Sequence, residues 1–327
     1  MKVHMRLLIV IRAKVTINCA LHPYYPEIDE VIIFCVAIRF GLLGTGYWAA
    51  QTQGAAIAAH PEAELVGVWG RNRAKAESVA ANLGARAFPD VDDLLAEVDA
   101  VAVALPPDVQ ADLAVRAANA GRHLVLDKPL AFTVAEADQV VAAVETNEVA
   151  SIVFFTNRFY SNVDAFLTEA AGQKWDGARI TMFASIFQPG NPYGGSLWRR
   201  EKGGLWDIGP HALSAVLPVL GPVIDVVALA GPHDTSHMLL RHASGAVSTL
   251  ALTLDAPPEA TLFESVFYGA DGHVSVPGGD GDVVAAFGAA ISQLAANVKA
   301  GVIEHPCDVQ FGREVVSVLE SVQLAKR

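Results

Sequence analysis

The sequence is poor in cysteine. It has three in 327 residues, Cys19, Cys35 and Cys307. This odd, widely spaced set provides neither a disulfide framework nor the closely spaced pairs of a zinc site. Because proteins of oxidising compartments depend on disulfides far more often, we expect a cytoplasmic protein.

Positive charge is also scarce. The chain carries 23 Lys and Arg against 35 Asp and Glu, a net charge of −12. Nucleic acids and anionic membranes select basic surfaces, so we expect neither as a partner. A small anionic substrate is still compatible with this charge, because a local pocket of Arg or Lys can lie within an acidic protein.

Long apolar runs are missing from the N-terminal region. The run LLIVI at 7–11 is interrupted by Arg12 and Lys14. A transmembrane helix needs about 20 apolar residues and the core of a signal peptide about 7–15. Residues 1–35 are therefore interpreted as a poorly ordered extension, for example from a misassigned start codon. A functional arm, for example in oligomerisation, is the alternative.

Metal-ligand clusters are lacking as well. His233, His237 and His242 are close in sequence, and His237 and His242 fall on a predicted strand. Four strand residues span about 13 Å, which is too far for two ligands of one ion. We therefore expect no metal site.

A regular alternation of strands and helices fills residues 36–155, within a chain that is 52% hydrophobic and 18% charged. Such alternation predicts an α/β fold with right-handed crossovers and a doubly wound parallel sheet, the Rossmann arrangement. Residues 156–327 contain successive strands without intervening helices. They predict a second, α+β domain with a mainly antiparallel sheet.

The expected elements can be placed on the sequence. Strands of the first domain are expected at 36–43, 63–70, 99–105, 123–129 and 149–155. Helices are expected between them at 47–59, 73–84, 91–98, 108–121 and 133–147. In the second domain we expect a helix at 161–171, a strand at 178–187, a loop at 188–204, strands at 223–231, 236–243, 246–254, 261–269 and 273–277, and closing helices at about 282–300 and 308–325.

A glycine-rich turn follows the first strand. It fits the pattern G-x-G-x-x-G/A with Gly44, Thr45, Gly46, Tyr47, Trp48 and Ala49. Gly44 permits a tight turn, Gly46 lets the backbone approach a pyrophosphate, and Ala49 permits close helix–strand packing. The helix that follows would direct its N-terminal N–H groups at the phosphates. The strand–turn–helix context favours dinucleotide binding; a turn that serves packing alone is the alternative.

The end of the second strand bears on the choice of cofactor. An acid that would bind the ribose 2′-hydroxyl of NAD is missing there, and the sequence instead has Gly70, Arg71, Asn72 and Arg73. Gly70 would leave room for a 2′-phosphate, and the arginines could supply charge-assisted hydrogen bonds. The hypothesis is a preference for NADP over NAD. Ordinary solvated arginines at a helix start are the alternative.

Two further clusters follow strands of the same sheet. Leu105-Pro106-Pro107 and Asp127-Lys128-Pro129 lie at carboxyl ends of strands, the edge at which open parallel sheets bind ligands. A lysine beside a proline at this edge is poorly explained by folding. We expect its ammonium group to face the crevice, with a lysine reaching only to solvent as the alternative.

In the second domain, a carboxylate precedes an imidazole by four residues. If the segment from Asp207 to His211 is helical, the two side chains share a face. Pro210 is tolerated only in the first turn of a helix, so a helix is expected to begin near Gly209 or to bend there. A capping residue and a buried histidine are the alternative interpretation.

These segments together resemble one family. The sequence is similar to the Gfo/Idh/MocA oxidoreductases, typified by glucose–fructose oxidoreductase and inositol dehydrogenase, in GLLGTGYWA, ELVGVWGRNRAKAESVAANLG, LPPDVQADLAVRAANAGRHLVLDKPLA and GGLWDIGPHAL. The resemblance covers about 36–327. It implies a Rossmann domain, a second domain with an open, largely antiparallel sheet, and assembly into homodimers or homotetramers.

The resemblance also implies roles for individual residues. Lys128 matches the active-site lysine of the family, with the Lys128–Pro129 bond cis as in relatives. His211 matches the acid/base histidine, and Asp207 the carboxylate beside it. An imidazole suits proton transfer near neutral pH, and Lys128 could stabilise a developing alkoxide. Asp207 could orient His211 or hold a neighbouring hydroxyl.

Two positions depart from the family pattern. Asp127 stands where Glu is usual, which shortens the reach of the carboxylate. Ser214 stands three residues after His211, where relatives commonly carry Asp. The second departure removes one carboxylate that could hold a polyol.

Four other residues are candidates for contact with the substrate. Tyr193, Trp198 and Arg199 lie in the loop before Asp207, and Arg158 follows the last strand of the first domain. For each, a solvated charge or a packed aromatic ring is the alternative.

The expected function is hydride transfer between NADP or NAD and a sugar, cyclitol or related secondary alcohol. One alternative is a dinucleotide-binding regulator without activity, although the lysine and the histidine are both present. Another is an enzyme that uses a bound nicotinamide transiently, for hydrolysis or epimerisation.

Overall fold

The computed structural model describes residues 10–12, 32–34 and 37–326. The strands are β1 Val10–Arg12, β2 Ile32–Phe34, β3 Ile38–Leu43, β4 Ala63–Trp69, β5 Arg86–Ala87, β6 Ala100–Val103, β7 His123–Asp127, β8 Ser151–Phe154, β9 Gly177–Phe183, β10 Val223–Ala230, β11 Ser236–His242, β12 Val247–Thr253, β13 Leu262–Gly269 and β14 Gly272–Ser275. The α-helices are α1 Ala55–Ala59, α2 Arg73–Leu83, α3 Val91–Glu97, α4 Pro107–Asn119, α5 Val134–Thr146, α6 Ser161–Ala171, α7 Leu197–Asp207, α8 Gly209–Leu220, α9 Val283–Ala300 and α10 Val309–Ala325.

The N-terminal region contributes one small ladder. Strands β1 and β2 pair antiparallel, with Val10 opposite Phe34. The other positions of 1–35 lie outside the described residues. The interpretation of this segment as an extension stays a prediction.

The first sheet has the expected doubly wound form. Its strand order is β5-β4-β3-β6-β7-β8, and every pairing in it is parallel. The neighbouring Leu42 and Leu43 of β3, which point to opposite faces, are both fully buried, as expected for strands covered by helices on both faces. The order reverses between β3 and β6, so a crevice opens there outside the carboxyl ends of the strands. The short edge strand β5 is the one element of this sheet that the sequence did not predict.

The second sheet is open and mostly antiparallel, as expected. Its order is β10-β11-β12-β9-β13-β14, and the one parallel pairing joins β12 to β9. Inward residues of β11 such as Met238 and Leu240 are buried, whereas Leu239 is exposed. This period of two indicates that one face packs on helices and the other lies open.

The two closing helices pack against elements of the first sheet. Helix α10 contacts α5, and α9 contacts α1 and β8. The length and apolar composition of α9 would suffice to cross a membrane. In this fold its Phe287 packs on Phe154 with ring centroids 4.9 Å apart, and Ile291 and Leu294 are fully buried. Core packing therefore accounts for its apolar face.

One expected element is wrong. The predicted loop at 188–204 ends earlier, because α7 begins at Leu197. The Gly, Pro and Asn residues before it favour a loop, but the segment 198–202 has charged side chains of good helix propensity. Gly203 then interrupts the helix with φ 66° and ψ −162°. The expectation that a new helix starts near Gly209 is confirmed, since α8 begins there.

Candidate active site

The glycine turn has the shape that a dinucleotide requires. Gly44 has φ +141°, and a side chain there would bring its Cβ within 2.6 Å of the Ala104 carbonyl oxygen. Around Gly46, in contrast, an added Cβ would meet no atom of the described residues within 4 Å. A π-helical segment, Ala49–Gly54, follows the turn and continues into α1. Open space at the N-terminus of this helical stretch, with N–H groups free of helical partners, fits a pyrophosphate. Gly44, Thr45, Gly46, Tyr47 and Trp48 are thus the residues that would hold it.

Packing explains the glycine at the end of β4. A Cβ on Gly70 would lie 2.5 Å from Cγ2 of Thr45. The glycine turn and the end of β4 therefore pack closely against each other at this point. The expectation that Gly70 also leaves room for a 2′-phosphate stays a prediction. Asn72 caps α2, because its Oδ1 accepts from the Lys75 N–H at 3.0 Å.

The two arginines beside Gly70 are in different situations. Arg73 Nε lies 2.8 Å from Glu77 Oε1. Arg71 is exposed and has no ion-pair partner in the described part of the chain. Arg71 is consequently the cation left for a ligand at this end of the crevice.

The segment with Lys128 is held by a side chain that the sequence did not single out. Gln110, on the buried face of α4, is fully buried. Its Nε2 donates to the carbonyl of Asp127 at 2.7 Å and lies within 3.1 Å of that of Pro129, and its Oε1 accepts from the Asp127 N–H at 2.8 Å. A polar residue among apolar neighbours such as Ala111 and Ala114 was the signal that could have revealed it.

This clamp supports an unusual stretch of backbone. The Lys128–Pro129 peptide bond is cis, which confirms what the resemblance implies. Pro106 precedes α4, and its carbonyl accepts from the Gln110 N–H at 2.9 Å. The strand ends at 105–106 and 127–129 are therefore tied together through Gln110.

Lys128 reaches across to the second half of the chain. Its Nζ lies 2.9 Å from Asp207 Oδ1 and also donates to the Asp207 carbonyl. Each of the two side chains is 11% exposed. Burial at this level strengthens the ion pair and fixes its geometry.

The Asp207 carbonyl is available because the helix breaks after it. In a continuous helix it would accept from the N–H of residue 211. Here the His211 N–H donates to Ile208 at 3.0 Å instead, and Pro210 has no N–H to offer. The Asp207 carbonyl is thus left for the lysine.

A second cation completes the surroundings of Asp207. Arg199 Nε lies 3.1 Å from Asp207 Oδ2. Its guanidinium carbon lies 4.5 Å from the ring centroid of Trp198 and 5.0 Å from that of Tyr193. Burial by itself would raise the pKa of Asp207, but the charges and hydrogen bonds of Lys128 and Arg199 outweigh it and hold the pKa well below its usual range.

His211 lies in the first turn of α8. Burial, followed by the charge of Lys128, lowers the pKa of its imidazole to about 3, so the ring is neutral at pH 7. Its Nδ1 is buried without a hydrogen-bond partner among the described residues. The carboxylate of Asp207 pairs with the two cations and not with this ring. An unpaired buried ring nitrogen is a position that a ligand hydroxyl or a water can satisfy.

Asp127 adds a carboxyl group at the same edge. Burial raises its pKa to about 6, although the charge of Lys128 opposes this. Its Oδ1 accepts from the Lys128 N–H at 2.9 Å. The group therefore sits close to a change of protonation at neutral pH.

Three of the four candidate substrate residues gather here and one does not. Arg199 contacts Asp207, and the rings of Tyr193 and Trp198 lie against the Arg199 guanidinium. The Tyr193 ring also meets Tyr47 of the glycine turn edge-on, with centroids 6.0 Å apart. The buried Arg158 instead donates to the Ser214 carbonyl at 3.2 Å and lies 3.8 Å from Asp164. The Arg158 guanidinium carbon also lies 5.9 Å from the ring centroid of Phe311, so its contacts are with α6, α8 and α10 and not with Lys128 or Asp207.

Among the described residues, no group of three or more His, Cys, Asp and Glu side chains could hold a metal ion. His242 is buried and bonds to the Gly221 carbonyl at 2.7 Å and to Ser248 Oγ at 2.9 Å. A structural role accounts for this histidine.

Known proteins match the chain in both halves. Residues 38–155 match the model of an oxidoreductase family with an NAD-binding Rossmann fold, and residues 177–275 match the C-terminal domain of the GFO/IDH/MocA proteins. These matches confirm the expected cofactor class and the expected α/β architecture.

Individual relatives agree with the family match. The dTDP-3,4-didehydro-2,6-dideoxy-α-D-glucose 3-reductase of Streptomyces antibioticus is 29% identical over 239 residues, 69% of this chain and 73% of that protein. The UDP-N-acetylglucosamine 3-dehydrogenase of Acidithiobacillus ferrooxidans is 34% identical over 128 residues, 38% of this chain and 39% of that protein. The solved structure of the latter enzyme superposes with a TM-score of 0.77 at 22% identity, covering 89% of this chain and 98% of that one, a likeness of fold. The chain belongs to the Gfo/Idh/MocA family of NAD-binding oxidoreductases.

Proposed function

We propose that this protein transfers a hydride between a nicotinamide dinucleotide and a secondary alcohol or ketone of a sugar, cyclitol or related ring. The observation that carries the proposal is the Lys128–Asp207 contact, 2.9 Å between Nζ and Oδ1. Lys128 directly follows β7, a strand of the same sheet that carries the glycine turn. A buried ion pair at this position is better explained by the binding of a polar reacting group than by a requirement of folding.

The proposed substrate is a hexose that reacts at carbon 3. Both relatives described above carry position 3 in their names, one as a reductase and one as a dehydrogenase. The site contains two cations, Lys128 and Arg199, and two carboxyl groups, Asp207 and Asp127. These groups can form hydrogen bonds with the hydroxyls and the carbonyl of a sugar ring.

Each residue then has a distinct role. Lys128 would donate a hydrogen bond to the reacting oxygen and stabilise negative charge on it. The neutral His211 would accept the hydroxyl proton during oxidation and return it during reduction. Asp207 would keep Lys128 in place and remain ionised throughout. A bound NAD or NADP would supply the hydride chemistry.

The cofactor preference proposed is for NADP. With Arg73 paired to Glu77, the exposed Arg71 is the group that would meet a 2′-phosphate. The ratio of kcat/KM for NADP to that for NAD, measured with one substrate, tests this preference. A ratio of one or less would contradict it.

The reaction is tested by absorbance at 340 nm with purified protein, both cofactors, and a panel of sugars, nucleotide sugars, sugar phosphates, cyclitols and hydroxy acids. We expect turnover with at least one member that has a free hydroxyl at carbon 3. Cofactor binding without turnover of any member would favour the regulator instead. Product formation without net change at 340 nm would favour transient use of the cofactor.

We further propose that two copies pair through the open face of the second sheet. Val227, Leu229 and Leu239 are 55%, 57% and 47% exposed on this face, and such neighbouring apolar side chains favour an interface. Light scattering should give a dimer or tetramer for wild type and a smaller species for Leu239→Glu. The matched control is Leu324→Glu, because Leu324 is 82% exposed on the closing helix α10. A wild-type monomer would contradict the proposal.

A further inference from the structure

The break in α7 is held by a loop from the second sheet. At Gly203, φ is 66° and ψ −162°, a combination that is essentially restricted to glycine. A Cβ at this position would lie 1.7 Å from Asp234 Oδ2. The loop between β10 and β11 therefore sits directly against the break.

The turn after the break is short and leads to Asp207. The Gly204 N–H donates to Asp234 Oδ2 at 3.0 Å, and the Ile208 N–H closes the turn on the Gly204 carbonyl at 3.0 Å. A Cβ on Gly204 would lie 2.8 Å from Thr253 Cα of β12. The turn is thus wedged between β12 and Asp234, with Asp207 at its end.

The loop that bears Asp234 has an unfavourable backbone for its residues. The Thr235 N–H donates to the Pro232 carbonyl at 3.0 Å, and the two residues between them, His233 and Asp234, have φ 52° and 55°. Both values lie in the left-handed region, which glycine adopts most readily. Glycine would suit the backbone of position 234 better, so the aspartate is explained by its carboxylate.

We propose that Asp234 is a positioning residue for the active site. Its carboxylate caps the turn 204–207 and thereby fixes Asp207 between Lys128 and Arg199. In a continuous helix, Arg199 and Asp207 would be separated by about 12 Å along the axis. The capped break instead places Arg199 Nε 3.1 Å from Asp207 Oδ2. The inference rests on the proposed function for its effect on turnover, but not for the cap itself.

Three variants distinguish the effect of the Asp234 carboxylate from the effect of the strained backbone. Asp234→Gly removes the cap and relieves the left-handed residue, so we expect Tm within about 3 °C of wild type while kcat falls about tenfold. Asp234→Asn keeps an acceptor oxygen and tolerates the same φ, so kcat should stay within about twofold of wild type. His233→Gly, the matched control, relieves the neighbouring strained position and should leave kcat unchanged.

A kcat of Asp234→Gly within twofold of wild type would overturn the proposal. Equal losses in Asp234→Gly and His233→Gly would also overturn it, because the shape of the turn and not the carboxylate would then be responsible. The dissociation constant of NADPH should be the same in all variants, since Asp234 lies in the loop between β10 and β11 and not in the dinucleotide-binding domain.

A readout without turnover tests the cap independently. Hydrogen–deuterium exchange followed by mass spectrometry should give faster exchange of the segment 203–208 in Asp234→Gly, and wild-type exchange in Asp234→Asn. If wild type turns over no substrate, the proposed function fails, and this exchange experiment still decides on the cap. Identical exchange in wild type and Asp234→Gly would overturn it.

Discussion

The two sides of the candidate active site are built in different ways. Lys128 follows the parallel strand β7, and the side-chain amide of the fully buried Gln110 bonds to the backbone of the preceding residue, Asp127. Asp207 ends a single helical turn after a break, and an exposed, strained loop holds it from outside. The lysine side is part of the core, whereas the aspartate side depends on a contact at the surface.

This difference predicts which part of the site should open first by local unfolding. Core strands open only with the whole domain, whereas segments with few buried contacts open locally at a smaller free energy. The aspartate side is therefore the adjustable half of the site. Substitutions in the residues that support Lys128 should affect folding, and those in the residues that support Asp207 should affect turnover.

The largest effect is expected where the two sides meet. Lys128→Ala and His211→Ala should each lower kcat on the order of 10²–10³-fold, because they remove the charge stabilisation and the proton acceptor. Steady-state rates at 340 nm measure this. The control is Lys174→Ala, an exposed lysine between α6 and β9. Near-normal kcat in either of the first two variants would refute the role assigned to it.

The next effect tests the core side. Gln110→Leu would leave the Asp127 N–H and two nearby carbonyls unpaired in the interior, so the free energy of unfolding should fall by about 3 kcal/mol. Urea unfolding measures the change. Gln173→Leu, at an exposed position, should change it little. If both variants unfold alike, Gln110 does not hold the lysine segment.

A pH-dependent effect distinguishes the carboxyl group on the same side. The pKa of Asp127 is raised from 3.8 to about 6, so the folded state keeps a proton that the unfolded state has lost between these values. This group therefore makes wild-type stability fall as pH rises through that window. Asp127→Asn lacks the fall, and its advantage over wild type should grow between pH 4 and 7 by up to about 3 kcal/mol.

Urea unfolding across this pH range checks that expectation. Asp112→Asn, at an exposed position of α4, should differ from wild type by the same amount at every pH. A constant difference for Asp127→Asn as well would mean that Asp127 is ionised at its ordinary pKa.

The smallest effect is expected at Arg71, which follows β4 at the same edge of the first sheet. Arg71→Ala should lower kcat/KM for NADP about tenfold and leave that for NAD unchanged, because it removes one charge-assisted contact with a phosphate. The matched control is Arg73→Ala, since Arg73 is paired with Glu77. An equal loss of kcat/KM for both cofactors would mean that Arg71 does not bind the 2′-phosphate.

The same contrast explains how far the sequence could predict the structure. Periodicity and the glycine pattern predicted the parallel sheet, the turn at Gly44 and the strand that ends at Asp127, because these depend on neighbours in the chain. The resemblance added the cis bond at Lys128. Gln110 was missed because its partners lie some 17–20 residues away.

The broken helix was beyond sequence reasoning for a physical reason. The break at Gly203 depends on Asp234, which is 30 positions from the residue it caps. Nothing local indicates that Arg199 would fold back onto Asp207, or that Gly70 packs closely against Thr45. Arg158 was expected near the substrate, but its contacts with Ser214 and Asp164 became visible only with the packing of α6 and α8.

The hydrogen bond from Lys128 to the main-chain carbonyl of residue 207 makes the position of the lysine less dependent on the side chain at 207. One of the two acceptors of Lys128 belongs to the main chain, so every amino acid at position 207 would still offer it. Substitution there would alter the charge around the ammonium group while leaving an anchor for it. A lineage could therefore vary the side chain at 207 and retune its substrate without first losing its lysine.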